Sequence, residues 1–221
     1  MVLLAGILAA FCAYLLGSLS FAIIVSRLFY HKDIRQFGSG NAGMTNILRT
    51  FGKGAAAGVL TGDVLKGTAG VLLGRLIFSL LVPDVAVLYG AYIAAIAALL
   101  GHLFPLYFGF KGGKGISVVA GAVFAIKPPI VIALVLVFIA MVLITRIVSL
   151  SSITVAALYP VFTFVYFTLW GNGEGMPWLN TLFAAILGGI IIYMHRANIK
   201  RLRNGTEYKF GEKKKEPQEK P

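Results

Sequence analysis

A chain of 221 residues that is 58% apolar and only 13% charged cannot be a water-soluble globule, a disordered chain or a disulfide scaffold, since soluble domains hold about 45–50% apolar and about 25% charged residues. Its mean hydropathy of +0.87 agrees. The 20 basic and 8 acidic residues give a net charge of +12, which in a soluble protein would suggest nucleic acid. In so apolar a chain it points first to the Lys- and Arg-rich cytoplasmic loops of a membrane protein, and second to anionic lipid or an anionic substrate, with no nucleic-acid partner.

Seven apolar runs fill most of the chain, at about 2–26, 55–82, 85–101, 116–126, 128–145, 147–170 and 178–194. They are apolar all round, which disfavours the alternating strands of a membrane barrel. The expected fold is all-α, a polytopic membrane protein of seven transmembrane helices. No basic residue precedes the first run, and Arg27, Lys32 and Arg35 follow it, so it reads as an uncleaved span with its N-terminus outside. Ala9-Ala10-Phe11-Cys12 fits a lipoprotein site poorly, because Phe11 replaces a small residue. Alternating the loops puts 27–54, 102–115, Arg146 and everything after His195 inside, and the turns near Pro83, Lys127 and 171–177 outside. Nearly all basic residues then fall inside, Lys127 excepted. A five-span version would make the shortest run, 116–126, re-entrant, since it offers only about 16 Å of helix. Residues 1–206 read as one transmembrane domain, and 207–221 as a charged, disordered cytoplasmic tail.

Three inside segments carry unusual chemistry. Residues 37–52 mix glycines with Ser39, Asn41, Thr45, Asn46 and Arg49, which suits either a phosphate site or a Gly-rich helix-capping loop. In 101–117, Lys111 and Lys114 alternate with Gly112, Gly113 and Gly115 just before an apolar helix. That is an anion site at a helix N-terminus or two ordinary inside lysines; it is not a Walker loop, because Ile116 stands where Lys-Ser/Thr is required. In 195–207, His195 and Asn198 share a helix face, beside a basic stripe that reads equally as a positive-inside stop. Glu207 reads as a partner of nearby arginines. Asp63 and Lys66, three apart within an apolar run, read as an internal ion pair. Ser149, Ser151 and Ser152 stand at an inner turn, able to cap a helix or to reach a ligand. No cluster has metal-ligand spacing, and no Gly-x-Ser-x-Gly elbow occurs.

These motifs resemble the bacterial membrane acyl-phosphate:glycerol-3-phosphate acyltransferases. The resemblance rests on Gly38–Arg49, on Gly101-His-Leu-Phe-Pro with Phe110–Gly115, and on His195-Arg-Ala-Asn-Ile-Lys-Arg-Leu with Gly205-Thr-Glu207. Asp63–Gly67 and Arg146–Ser152 also fit. It implies a multi-pass enzyme of the bacterial inner membrane, with its site on the cytoplasmic side. The enzyme would move a fatty acyl chain from acyl phosphate to the 1-hydroxyl of glycerol 3-phosphate, without metal or other cofactor. The products are lysophosphatidic acid and phosphate, and a soluble acyl-phosphate synthase supplies the donor. By motif, Ser39, Lys114, His195 and Asn198 would be catalytic. Arg49, Lys114, Ser39, Ser152 and Asn198 would bind glycerol 3-phosphate. Asn41, Thr45, Asn46, Gly112, Gly113 and Gly115 would bind acyl phosphate, the glycines through their N–H groups. Asp63, Lys66 and Glu207 would be structural. His195 would orient the hydroxyl, or act as base at its ordinary pKa of about 6.5, with a substrate phosphate oxygen as the rival acceptor. The alternative class is a transporter or flippase for a phosphate ester or lipid. It would need polar residues deep in several spans, whereas here they gather on one side.

Overall fold

The computed structural model describes residues 1–83 and 87–211, and they form an all-helical bundle. The helices are α1 (Val2–Gly17), α2 (Phe21–Tyr30), α3 (Met44–Phe51), α4 (Lys53–Leu81), α5 (Val87–Leu103), α6 (Ile116–Ile126), α7 (Pro128–Thr145), α8 (Val148–Trp170), α9 (Pro177–Met194) and α10 (Arg196–Arg203). Prolines open α7 and α9, where the missing N–H has no intrahelical partner to lose. Leu65, Leu72, Leu76, Leu80, Leu136, Leu143 and Ile144 point outward, as a lipid-facing surface requires.

Among the described residues six helical segments are long and apolar enough to cross a membrane: Val2–Tyr30, Lys53–Leu81, Val87–Phe108, Pro128–Thr145, Val148–Trp170 and Pro177–Met194. The expected seventh, α6, has 11 residues and falls short of that length. It nonetheless leads from the polar end of the bundle to Lys127, which pairs at 2.5 Å with Glu174 in the turn between α8 and α9.

The first span is broken. Its chain leaves helix after Gly17 and resumes at Phe21. A free carbonyl in an apolar interior costs several kcal/mol. Here Lys66 Nζ donates to the Leu19 carbonyl at 2.6 Å. The same ammonium lies 3.1 Å from Asp63 Oδ1, both side chains being 2% exposed, so the expected Asp63–Lys66 ion pair is present.

Small residues let helices touch at backbone distance. Gly67 lies on the Val118 carbonyl and Gly121 on the Val64 carbonyl, so a Cβ at either would clash. Thr68 Oγ1 seals this α4–α6 seam with a 2.9 Å bond to the Gly121 carbonyl. Within α8, Pro160 cannot donate to the Ala156 carbonyl, and Gly188 of α9 packs against that carbonyl. Tyr92 and Phe183 stack in the main core with ring centres 4.7 Å apart.

The tail expected to be disordered from 207 is placed as far as Gly211. Glu207 bonds to three side chains, and Phe210 N–H donates to the Arg146 carbonyl at 2.6 Å. Residues 212–221 lie outside the described residues.

Candidate active site

Four polar segments converge at one end of the bundle. The first loop and α3 bring Ser39, Asn41, Thr45, Asn46 and Arg49. The turn before α6 brings Lys114 and Gly115, and the first turns of α8 bring Ser149 and Ser152. The α9–α10 corner and the residues after it bring His195, Asn198, Arg201 and Glu207. All line one pocket of ≈ 90 Å³, with Asp63 and His102 at its buried side. Lys66 stands behind Asp63, outside the lining, and so do Gly112 and Gly113.

The first loop is organised by Asn46, which is 2% exposed. Its Oδ1 accepts from Ser39 N–H at 3.0 Å, and its Nδ2 donates to the carbonyls of Phe37 at 2.9 Å, Asn41 at 3.1 Å and Ile34 at 3.3 Å. Its donors are fully engaged within the loop. Asn46 therefore shapes the cradle in which Ser39, Asn41 and Thr45 stand; the expected contact from its own amide to acyl phosphate would break that loop.

A second network joins the other segments. Lys114 Nζ donates to Asn198 Oδ1. Asn198 Nδ2 donates to Glu207 Oε1 at 2.8 Å, and Ser149 Oγ donates to the same oxygen at 3.0 Å. Arg201 Nε donates to Glu207 Oε2 at 2.7 Å. Burial pushes the Glu207 carboxyl up, but the bonds from Arg201, Asn198 and Ser149 outweigh it and hold the group below the usual glutamate value. Glu207 is thus an ionised brace, as expected.

Three cations line this pocket, Arg49, Lys114 and Arg201, and Glu207 engages only Arg201 at ion-pair distance. Burial first, then Arg201 and Arg49, pull Lys114 down to about 8, against an opposing pull from Glu207. An anion bound there would offset the two arginine charges and push the lysine back up. The Arg49 guanidinium lies 4.9 Å from the ring centre of Tyr208. Ser152 Oγ donates to its own helix, to the Val148 carbonyl at 2.9 Å, and keeps its lone pairs for a ligand.

His195 is 3% exposed, and its Nδ1 lies 2.8 Å from the Ile191 carbonyl. That carbonyl can only accept, so Nδ1 carries the proton and Nε2 is left with a lone pair. Burial, reinforced by the Lys114 charge and partly opposed by the bond to Ile191, pulls His195 down to about 4. Of the two roles expected of His195, orienting the hydroxyl or acting as base near 6.5, this lowered basicity favours the first: the imidazole is neutral and suited to accept a hydrogen bond.

The glycine turn also departs from expectation. Gly112 N–H donates to the Leu103 carbonyl at 3.1 Å, and Gly113 N–H donates to the His102 carbonyl at 3.2 Å. Neither is open to a phosphate. The turn is laid over the last turn of α5, and Gly115, at φ +89°, redirects the chain into α6. The N–H groups open to an anion are those at the start of α6, Ile116 and Ser117, which line the pocket and have no carbonyl behind them.

An apolar groove of ≈ 310 Å³ adjoins the pocket. Leu60, Val119, Val123, Leu134, Val155, Tyr159 and Ile191 line it, and Met44, Ile116, Ser117 and Phe138 line both spaces. Ser117, Phe138 and Tyr208 were not singled out from sequence. Ser117 was within reach, because it follows the glycine turn and opens a helix. Phe138 was not, being one apolar residue among many in α7.

A family model described as glycerol-3-phosphate acyltransferase matches residues 7–205. A glycerol-3-phosphate acyltransferase of Clostridioides difficile (strain 630) is 43% identical over 94% of this chain and 97% of its own length. One of Syntrophomonas wolfei is 40% identical over 90% of this chain and 94% of its own. Crystal structures of PlsY (YgiH), an integral membrane glycerol 3-phosphate acyltransferase, are also similar. Its glycerol 3-phosphate form matches at TM-score 0.77 with 36% identity, covering 93% of this chain and 96% of that one. Its lysophosphatidic acid form matches at the same TM-score. With its apolar helices, its pocket at one end and this likeness along nearly its whole length, the chain belongs to the glycerol-3-phosphate acyltransferase family of multi-pass integral membrane enzymes.

Proposed function

We propose that this protein transfers a fatty acyl chain from acyl phosphate to the 1-hydroxyl of glycerol 3-phosphate, giving lysophosphatidic acid and inorganic phosphate. The observation that carries the reading is the shared wall of Met44, Ile116, Ser117 and Phe138 between a cation-rich pocket and an apolar groove. A head group with two or more negative charges fits the first, and an alkyl chain fits the second.

In this reading Arg49 and Lys114 bind the phosphate of glycerol 3-phosphate, with Ser39, Ser152 and Asn198 bonding its oxygens. Asn41, Thr45, Gly115 and the first turn of α6 face the donor phosphate. His195 Nε2 accepts a hydrogen bond from the 1-hydroxyl and aims its oxygen at the acyl carbonyl carbon. The new ester C–O bond forms as the bond from that carbon to the phosphate oxygen breaks. The hydroxyl proton passes to a phosphate oxygen, a reading favoured by the burial that lowers the basicity of His195. A mixed anhydride has a good leaving group, so positioning and charge stabilisation account for most of the acceleration. No cofactor enters this scheme. A soluble enzyme that forms acyl phosphate would supply the donor.

The same reading places the protein in the bacterial inner membrane with seven crossings, α6 included, its N-terminus outside and its site and C-terminus on the cytoplasmic side. The gathering of the basic segments at one end of the bundle supports this.

The test offers purified protein radiolabelled glycerol 3-phosphate with palmitoyl phosphate or palmitoyl-CoA. Lysophosphatidic acid is expected from palmitoyl phosphate alone. Product from the thioester alone would overturn the donor assignment, and glycerol 3-phosphate uptake into vesicles without product would favour a transporter.

A further inference from the structure

The buried ionic group of α4 and α5 has one member more than charge pairing needs. Asp63 and Lys66 neutralise each other, and Lys66 also satisfies the Leu19 carbonyl. His102, in the last turn of α5 and 3% exposed, is the third member: its Nδ1 lies 3.0 Å from Lys66 Nζ. An ammonium only donates, so Nδ1 accepts and the ring proton sits on Nε2. The ring is thereby fixed in both tautomer and orientation.

Nε2 faces Gly113. A Cβ added to Gly113 would collide with Nε2, and would lie 2.8 Å from Cε1 of the same ring and 2.7 Å from the Ala42 carbonyl. Gly113 is therefore held between the His102 ring and the first polar loop. The His102 carbonyl takes the Gly113 N–H at 3.2 Å, so side chain and backbone of one residue both fix the turn. The next residues carry the Lys114 ammonium and the φ +89° step that aims the first turn of α6.

We infer that His102, clamped by the Lys66–Asp63 pair, is a positioning residue that sets the height of the 112–115 turn and so the alignment of the N–H groups that receive the donor phosphate. This rests on the donor placement proposed above. It also gives the break in the first span a functional link, because one ammonium ties Leu19, Asp63 and His102 together.

The test compares His102→Asn and His102→Gln in the acyl-transfer assay, reading the KM of each substrate separately. Asn keeps an acceptor for Lys66 but is too short to support Gly113; Gln carries an amide to about the place of Nε2. The expected result is a KM for palmitoyl phosphate raised about tenfold in His102→Asn, the loss of roughly one hydrogen bond of alignment. The KM for glycerol 3-phosphate should rise clearly less, because Lys114, though carried by the same turn, is also held from α10 by Asn198, and the Gln variant should recover most of the donor loss. Unchanged constants in His102→Asn, or an equal rise in both with no recovery by Gln, would overturn the inference. Should the Asn variant not fold, the comparison passes to His102→Gln against His102→Met, which are close in size. Equal donor KM values in that pair would also overturn it. A wild-type enzyme that ignores palmitoyl phosphate would instead sink the donor reading itself, a separate failure visible before any variant is made.

Discussion

At one end of the bundle Lys127 meets Glu174 at 2.5 Å, with the rings of Tyr166 and Phe167 about the ammonium at 5.8 Å and 6.0 Å. At the other end Arg49, Lys114 and Arg201 line one pocket with Glu207, whose carboxylate is taken by Arg201, Asn198 and Ser149. The residue types are the same, but the ratio differs. There the Lys127–Glu174 pair closes on itself, and the nearby Arg75 gives an N–H to the Ala125 carbonyl at 2.8 Å. At the pocket end three cations against Glu207, with Asp63 of the same lining already taken by Lys66, leave positive charge over, in a recess where water screens it poorly. The contrast shows why the apolar groove is useful only where it opens: it reaches the unbalanced end, through Met44, Ile116, Ser117 and Phe138.

If that contrast is right, removing the brace has the largest effect. In Glu207→Ala, the Asn198 amide, the Ser149 hydroxyl and Arg201 lose their acceptor together, and kcat/KM should fall about a hundredfold or more. Glu207→Gln, which keeps an oxygen for Asn198 and Ser149, should lose clearly less. Arg49→Ala comes next. It should raise the KM for glycerol 3-phosphate by roughly ten- to a hundredfold, the worth of a charge-assisted bond, and leave the donor KM within about threefold.

A smaller effect sharpens the same comparison through pH. Lys114 binds an anion only when protonated, and in the empty pocket it titrates at about 8. Affinity for glycerol 3-phosphate should therefore decline as pH rises through 8, and Lys114→Arg should remove the decline. Stability of the empty enzyme should move the other way. The folded lysine binds fewer protons than the unfolded one between about 8 and 10.4, so this group adds stability as pH rises across that window. The smallest effect belongs to the far end: Lys127→Met should change kcat/KM less than about twofold.

Much of the fold was legible because long apolar runs leave little choice. The runs at 128–145, 147–170 and 178–194 match α7, α8 and α9 within a residue at each end. The break at 18–20 was hidden, because what permits it is a lysine 47 residues away taking the Leu19 carbonyl. Counting charges placed the polar segments together, and the structure gathers them at one end. Motif chemistry brought Ser39, Arg49, Lys114, Ser152, His195 and Asn198 to one pocket. It misjudged Asn46, Gly112 and Gly113, whose polar groups are taken by carbonyls no spacing rule reveals. It left His195 open between orienting the hydroxyl and acting as base, since the burial that lowers its basicity is a property of the packed bundle.

The most direct test titrates glycerol 3-phosphate into three purified proteins: the wild type, the Arg49→Ala/Lys114→Gln double variant, and Lys127→Met as the control from the opposite end. Binding by the wild type and by Lys127→Met, with loss of more than about a hundredfold in the double variant, is the predicted result. Equal binding by all three would contradict the assignment of the phosphate to the end where cations outnumber acids.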